Sequence, residues 1–115
     1  MKERNNPVES PLEDVLGEWI DYNGHMNVAY YTLAFDRAID FFLQEELGIG
    51  PAYVKHAKQG PYSLQANYHY LQELKQRDRF RSKILIIGAD KKKIHMVLEM
   101  INASNAEKVA ICETL

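Results

Sequence analysis

The spacing of apolar positions along the chain changes period, and the changes mark the elements. From about Asn27 to Leu47, Val28, Tyr31, Phe35, Ala38, Ile39 and Phe42 recur at steps of three and four, the spacing of one helix face. Thr32, Asp36, Asp40 and Gln44 form a polar stripe opposite, but Tyr30, Leu33, Ala34 and Phe41 interrupt that half with apolar surface. Such a helix is predicted to be wrapped on more than one side and to end at Gly48. After a Gly- and Pro-marked loop (Gly48 to Pro61) the period becomes two: Tyr62, Leu64, Ala66, Tyr68 and Tyr70 alternate with Ser63, Gln65, Asn67 and His69. Phe80, Ile84 and Ile86 define a second strand with Arg79, Arg81 and Lys83 opposite, and Gly88 to Lys92 make a turn. Ile94, Met96, Leu98 and Met100 define a third strand, Asn102 to Asn105 turn again, and a last strand starts near Lys108.

Ahead of the helix, Val15 to Ile20 reads as a strand, closed by the turn formers Asp21, Tyr22, Asn23 and Gly24. Residues 1–10 read as a flexible N-terminal segment, leaving 11–115 as the single folded domain. The order strand, long helix, four strands with short connections predicts an α+β fold, an antiparallel meander packed on one buried helix. Thr114 and Leu115 still carry strand character, so the last strand is expected to be an edge completed by another subunit, or the sequence to be shorter than its relatives.

Composition narrows the class. At 115 residues and 46% hydrophobic content the chain suits one globular domain. Fourteen Lys and Arg against sixteen Asp and Glu give a net charge of -2, with no basic field for nucleic acid. The first residues lack the apolar core of a secretory signal, and Ile84 to Ile87 is too short to span a bilayer, so a cytoplasmic protein with no membrane partner is expected. One cysteine, Cys112, makes neither an intrachain disulfide nor a thiolate zinc site alone.

The densest cluster of functional residue types is Asp21, Tyr22, Asn23, Gly24, His25, Met26, Asn27, set between a strand end and a helix start. Backbone N–H groups of a first helical turn lack intrahelical partners and sit at the positive end of the helix dipole, where an anionic oxygen binds. Gly24 allows close backbone approach. Asp21, ionised at neutral pH, stands just upstream as base or nucleophile. These parts suit acyl transfer from a thioester, whose carbonyl is weakly stabilised by resonance and whose thiolate leaves without a strong acid. Ser10, Ser63, Ser82 and Ser104 lie outside any nucleophile-elbow pattern.

The string Asp21-x-x-Gly24-His25-x-Asn27, followed by Tyr30, Tyr31, Phe35 and Asp36, resembles the signature of the 4-hydroxybenzoyl-CoA thioesterase group of hotdog-fold acyl-CoA thioesterases. Tyr70-Leu71-Gln72-Glu73-Leu74 is similar to that family's second strand, and the likeness runs from about Val15 to Cys112. The resemblance implies a hotdog fold, a curved antiparallel sheet wrapped around one long central helix, with an active site at the interface of a dimer or larger homo-oligomer. It implies Asp21 as catalytic carboxylate, Val28 as the residue whose backbone N–H polarises the thioester carbonyl, and His25 and Asn27 as groups that orient the loop or touch the acyl group. Gly24 would shape that loop, and Tyr30 and Tyr70 would join Gly24 and Asn27 in contacting substrate. The substrate would be an acyl-CoA, with no metal and no bound cofactor besides the CoA it carries. Many relatives hold a second Asn where Val28 stands, which spares a backbone role. The wording Glu18 to Asn27 further resembles thioesterases of carnitine and betaine metabolism, in keeping with seven Tyr and Trp19, whose faces hold quaternary ammonium groups.

Blander roles compete at each position. Asp21 is also a turn former, Asn27 also an N-cap, His25 also a structural histidine, and Tyr68 and Tyr70 also sheet-core residues. His69 and His95 have no nearby carboxylate pattern to suggest a metal, and His56 lies in a loop beside Lys55 and Lys58. Arg79, Arg81 and Lys83, or Lys91 to Lys93, are solvated edges or contacts to CoA phosphates. Competing functions are a non-catalytic acyl-CoA or acyl-carrier-binding module and a dehydratase or hydratase on the same architecture.

Overall fold

A computed structural model of the chain describes residues 7–48, 65–89 and 93–115. Among them six strands form one antiparallel sheet: β1 (Val8–Glu9), β2 (Glu13–Asp14), β3 (Ala66–Tyr70), β4 (Arg79–Ala89), β5 (Ile94–Asn102) and β6 (Lys108–Thr114). The spatial order is β1-β4-β5-β6-β3, with β2 also on β4, and the curved sheet holds the helix α1 (Val28–Phe42) against its inner face. This is the helix-in-sheet architecture the resemblance implies.

Register explains the core. Val8 pairs with Ile84, Ile84 with Leu98, Leu98 with Cys112 and Cys112 with Tyr68, so one row of side chains crosses the sheet. Val8, Ile84, Leu98 and Cys112 are buried, and Tyr68 is half-buried. Against this inner face α1 presents Tyr31, Ala34, Phe35, Ala38 and Phe42, all buried. The second apolar stripe is partly covered too: Ala34 is buried, Tyr30 and Phe41 are half-buried, and Leu33 stays exposed. Val28, placed on the buried face by its spacing, is instead 56% exposed at the helix mouth. The helix ends through a wider π turn (Leu43–Leu47) and Gly48 at φ 69°, the left-handed conformation that glycine adopts at lowest cost.

Four expectations change. Residues 8–10 are no flexible lead-in: Val8 and Glu9 pair with β4, and Ser10 is buried with its hydroxyl accepting the Ser82 N–H at 2.8 Å. Val15 to Ile20 is not a strand. Gly17 to Trp19 forms a 3-10 turn closed by Trp19 N–H to Leu16 C=O at 3.0 Å, which swings Trp19 into the core at 4% exposure. The last strand is interior, lying between β5 and β3. The four strands are also not a simple meander: β4, β5 and β6 are consecutive neighbours, but β3 lies at the far edge beside β6. The 71–78 connection therefore carries the chain from one edge to the strand two places beyond β6, and it buries Leu74 completely on the way. The start of the alternating stretch, Tyr62 and Leu64, lies outside the described residues, as do Lys91 and Lys92 of the β4–β5 turn.

Candidate active site

The motif folds as a tight hairpin leading into α1. Ile20 and Met26 form an antiparallel bridge, the Asp21 N–H donates to the His25 carbonyl at 3.0 Å, and the Gly24 N–H donates to the Asp21 carbonyl at 3.0 Å. Gly24 sits at φ 82°, a conformation strained for any residue with a Cβ, so the turn needs glycine there even though space is open around it. Tyr22 at the tip is 97% exposed. Asp21 is half-buried, and its Oδ1 accepts the Asn23 N–H at 2.9 Å, the local bond that makes Asp a turn former. Among the described residues nothing engages its Oδ2.

At the helix start, Asn27 is the N-cap. Its Oδ1 accepts the Ala29 N–H at 2.9 Å, its carbonyl accepts the Tyr30 N–H at 3.0 Å, and its own N–H donates to the Trp19 carbonyl at 2.8 Å. The N–H groups of residues 27, 29 and 30 are thus occupied. That of Val28 has no partner among the described residues, and it stands at the positive end of a fifteen-residue helix.

His25 is turned toward the 71–78 connection. Its Nε2 lies 3.0 Å from Glu73 Oε2. The Met26 N–H donates to the Leu74 carbonyl at 2.8 Å, and the Leu74 N–H donates to the buried Tyr31 hydroxyl at 3.0 Å. Desolvation chiefly, offset by the Leu74 N–H and reinforced by Glu73 and Asp78, pushes the Tyr31 hydroxyl above its usual range. Glu73 and Leu74 were singled out in the sequence only as family-like wording, and Tyr31 as a helix-face residue within the family-like string. No local pattern signals their link to the motif.

The aromatic side chains divide into two groups. Tyr30 stacks on Trp19 with ring centroids 5.4 Å apart and planes 13° apart, and the Arg37 guanidinium lies 5.7 Å from the Trp19 ring while pairing with Glu13 at 2.9 Å. Tyr70 meets Tyr31 edge-on at 5.4 Å and stacks on Tyr68 at 6.5 Å, leaving Tyr70 44% exposed on β3. Below them burial chiefly, with Cys112 and Asp36 adding to it and Thr32 opposing it, pushes the Tyr68 hydroxyl above its usual range. Burial, opposed by Tyr68 and reinforced by Asp36, pushes the Cys112 thiol up to about 11. The Asp36 carboxyl is raised as well, by partial desolvation and then by Asp40 one turn on.

Two of the basic candidates are already neutralised: Arg79 pairs with Asp14 at 3.0 Å and Arg81 with Glu9 at 3.3 Å. His95 pairs with Glu113 at 2.9 Å, and no group of three His, Cys, Asp or Glu suited to a metal occurs among the described residues. No helix among them is long and apolar enough to cross a membrane. His56, Lys55 and Lys58 lie outside the described residues.

With the hairpin and helix mouth defined, comparison with known proteins decides the family. The profile of the Thioesterase-like superfamily matches residues 15–115. The chain belongs to that superfamily. A betainyl-CoA thioesterase of Pseudomonas aeruginosa is 28% identical over 101 residues, covering 88% of this chain and 63% of the relative. A Rhizobium meliloti protein described as L-carnitine dehydrogenase/betainyl-CoA thioesterase is 28% identical over 111 residues, 96% of this chain and 22% of its own length. The chain thus spans less than two thirds of these curated relatives. Among solved structures, a Staphylococcus aureus protein in complex with CoA superposes with a TM-score of 0.85 at 23% identity, over 99% of this chain and 69% of that one. A Pseudomonas putida putative thioesterase gives 0.76 at 25% identity, over 94% and 70%.

Proposed function

We propose that this superfamily member hydrolyses an acyl-CoA thioester to a carboxylate and free CoA, with Asp21 and the Val28 N–H as its two working groups. The observation that carries the reading is the hydrogen-bond pattern at the helix mouth: among the described residues the Val28 N–H is unused while its neighbours are engaged, and Asp21 keeps one free carboxylate oxygen on the adjoining hairpin. The Val28 N–H and the helix dipole stabilise the negative charge that develops on the thioester oxygen. Asp21 Oδ2 either attacks the carbonyl carbon or removes a proton from the water that does. The C–S bond then breaks, the electron pair leaves on the CoA sulfur, and the released thiolate takes up a proton. In the nucleophilic route water afterwards cleaves the Asp21 acyl anhydride. Neither route draws on a metal or bound cofactor, because the thioester supplies both an electrophilic carbon and a good leaving group.

The acyl group we assign to this site carries a quaternary ammonium. Support comes from the names of the curated relatives and from aromatic faces beside the motif. Trp19 is already stacked by Tyr30 and approached by Arg37, so among the described residues Tyr22, 97% exposed, and the side of Tyr70 away from Tyr68 are open to a cation. We further propose self-association through β3, an edge strand among the described residues, with Tyr70 and Leu71 exposed beside it. A cytoplasmic location goes with CoA as substrate. The test is a thiol-release assay on short, branched, aromatic and quaternary-ammonium acyl-CoAs. Highest kcat/KM for the quaternary-ammonium thioester supports the reading in full, and thiol release favouring another acyl group keeps the hydrolase and removes the specificity. A second reading, a binding module without turnover, draws on the Asp21 bond to Asn23, which suffices for a purely local structural role. Binding of acyl-CoA with no thiol release selects it.

A further inference from the structure

Beyond the burial of Met26 in the core, the hairpin that carries Asp21 is fastened at few points among the described residues. The Asn27 N–H to Trp19 closes the stem on itself, the Met26 N–H to Leu74 ties it to the crossing connection, and among the described residues its outer half reaches beyond the hairpin by one side-chain contact, His25 Nε2 to Glu73 Oε2 at 3.0 Å. Glu73 and Leu74 are adjacent, and the second of them also donates to Tyr31 on α1. One dipeptide of the crossing connection therefore touches the hairpin at His25 and Met26 and the helix at Tyr31. We infer that Glu73 is a positioning residue for the hydrolysis, acting through His25 to hold the Asp21 hairpin in register with the Val28 N–H.

The inference rests on the thioesterase reading above. The His25 carbonyl accepts the Asp21 N–H at 3.0 Å, so displacement of His25 is transmitted to the Asp21 backbone by a direct bond. Gly24, next to His25, has no side chain to brace the turn and has open space around it. The Asn23 bond fixes the Asp21 carboxylate relative to the turn and leaves the turn free relative to the helix. Among the described residues, what remains for the outer half is the imidazole-carboxylate contact. Glu73 is 62% exposed on its side chain and His25 34%, so the pair adds little to global stability. Its effect falls on geometry, and displacement of a reacting group by about 1 Å lowers rates by up to roughly a hundredfold.

The fold supplies its own control. His95 and Glu113 form an exposed pair of the same chemistry at 2.9 Å, on β5 and β6 and outside the motif. The experiment measures kcat, KM and the urea midpoint for wild type, Glu73→Ala, Glu73→Gln, His25→Ala, the Glu73→Ala/His25→Ala double variant and Glu113→Ala, on the acyl-CoA that wild type hydrolyses fastest. The expected result is a fall in kcat of roughly tenfold or more for Glu73→Ala, with KM within about twofold and the urea midpoint nearly unchanged. Glu73→Gln, which keeps an oxygen acceptor, recovers part of the rate. The double variant is no slower than His25→Ala, and Glu113→Ala matches wild type. Wild-type kcat in Glu73→Ala, multiplying losses in the double variant, an equal loss in Glu113→Ala, or a kcat loss that only follows a lowered urea midpoint would each overturn the inference and leave the hydrolase reading standing. A wild type that releases no thiol from any acyl-CoA removes the hydrolase reading and this inference with it.

Discussion

Replacing Tyr31 by Phe tests the packing that joins α1 to the crossing connection. Tyr31 is 4% exposed, and its hydroxyl accepts the N–H of Leu74, itself fully buried, at 3.0 Å. The substitution keeps the ring, so the edge-on contact with Tyr70 at 5.4 Å and the burial against the sheet survive. What disappears is one hydrogen bond, and what remains is a buried donor with nothing to donate to. The net bond is worth about 1 kcal/mol and stranding a buried N–H costs about 1 to 3 kcal/mol, so a loss of about 2 kcal/mol is expected. Against a total stability of roughly 5 to 15 kcal/mol that is a large fraction. With a urea m-value of roughly 2 kcal/mol per molar, the midpoint falls by about 1 M while m stays constant. The measurement is equilibrium urea unfolding of both proteins at one protein concentration, since the proposed self-association would make midpoints concentration-dependent. A midpoint within about 0.2 M of wild type, roughly 0.4 kcal/mol at that m-value, refutes the reasoning, because it means the Leu74 N–H finds another partner or is not buried.

Two further outcomes follow from the same physical chemistry. Asn27→Ala removes the N-cap acceptor of the Ala29 N–H and should lower stability by about 1 kcal/mol in the same urea assay, with helix circular dichroism largely retained. For Cys112, whose thiol rises from 9.0 to about 11, the folded state holds its proton more tightly than the unfolded chain. That stabilisation is complete below pH 9 and is lost as pH rises through 11, so wild-type stability should fall over this window by roughly 2 kcal/mol more than that of Cys112→Ala. Parallel slopes for the two proteins between pH 9 and 11 would exclude a buried neutral thiol.

The parts of this fold that were legible in the sequence are those with many repeats of a short period. Fifteen helical residues give Tyr31, Phe35, Ala38 and Phe42 four chances to declare a 3.6-residue face, and β4 to β6 alternate over seven to eleven residues each. Two-residue strands offer no period, which is why Val8–Glu9 reads as a polar lead-in until Ile84 is seen opposite Val8. Trp19 and Ile20 favour strand by residue type, but Gly17 admits a 3-10 turn, and burying the Trp19 ring decides the local conformation. The far-edge position of β3 is a long-range choice: adjacent strands usually pair, and here the connection between them instead crosses the fold and buries its own Leu74. The motif itself was visible as a contiguous string. Its support was not, because His25 and Glu73 are 48 residues apart and a surface Glu carries no mark of its partner.

The central claim is that the Asp21 carboxylate performs the chemistry, and Asp21→Asn separates that from its role in the turn. Asn keeps an oxygen that accepts the Asn23 N–H, so the hairpin and the urea midpoint should persist. The measurement is kcat for thiol release by Asp21→Asn and wild type on the best acyl-CoA substrate. The account predicts a fall of roughly a thousandfold or more at unchanged stability; a variant that turns over within a few-fold of wild type contradicts it.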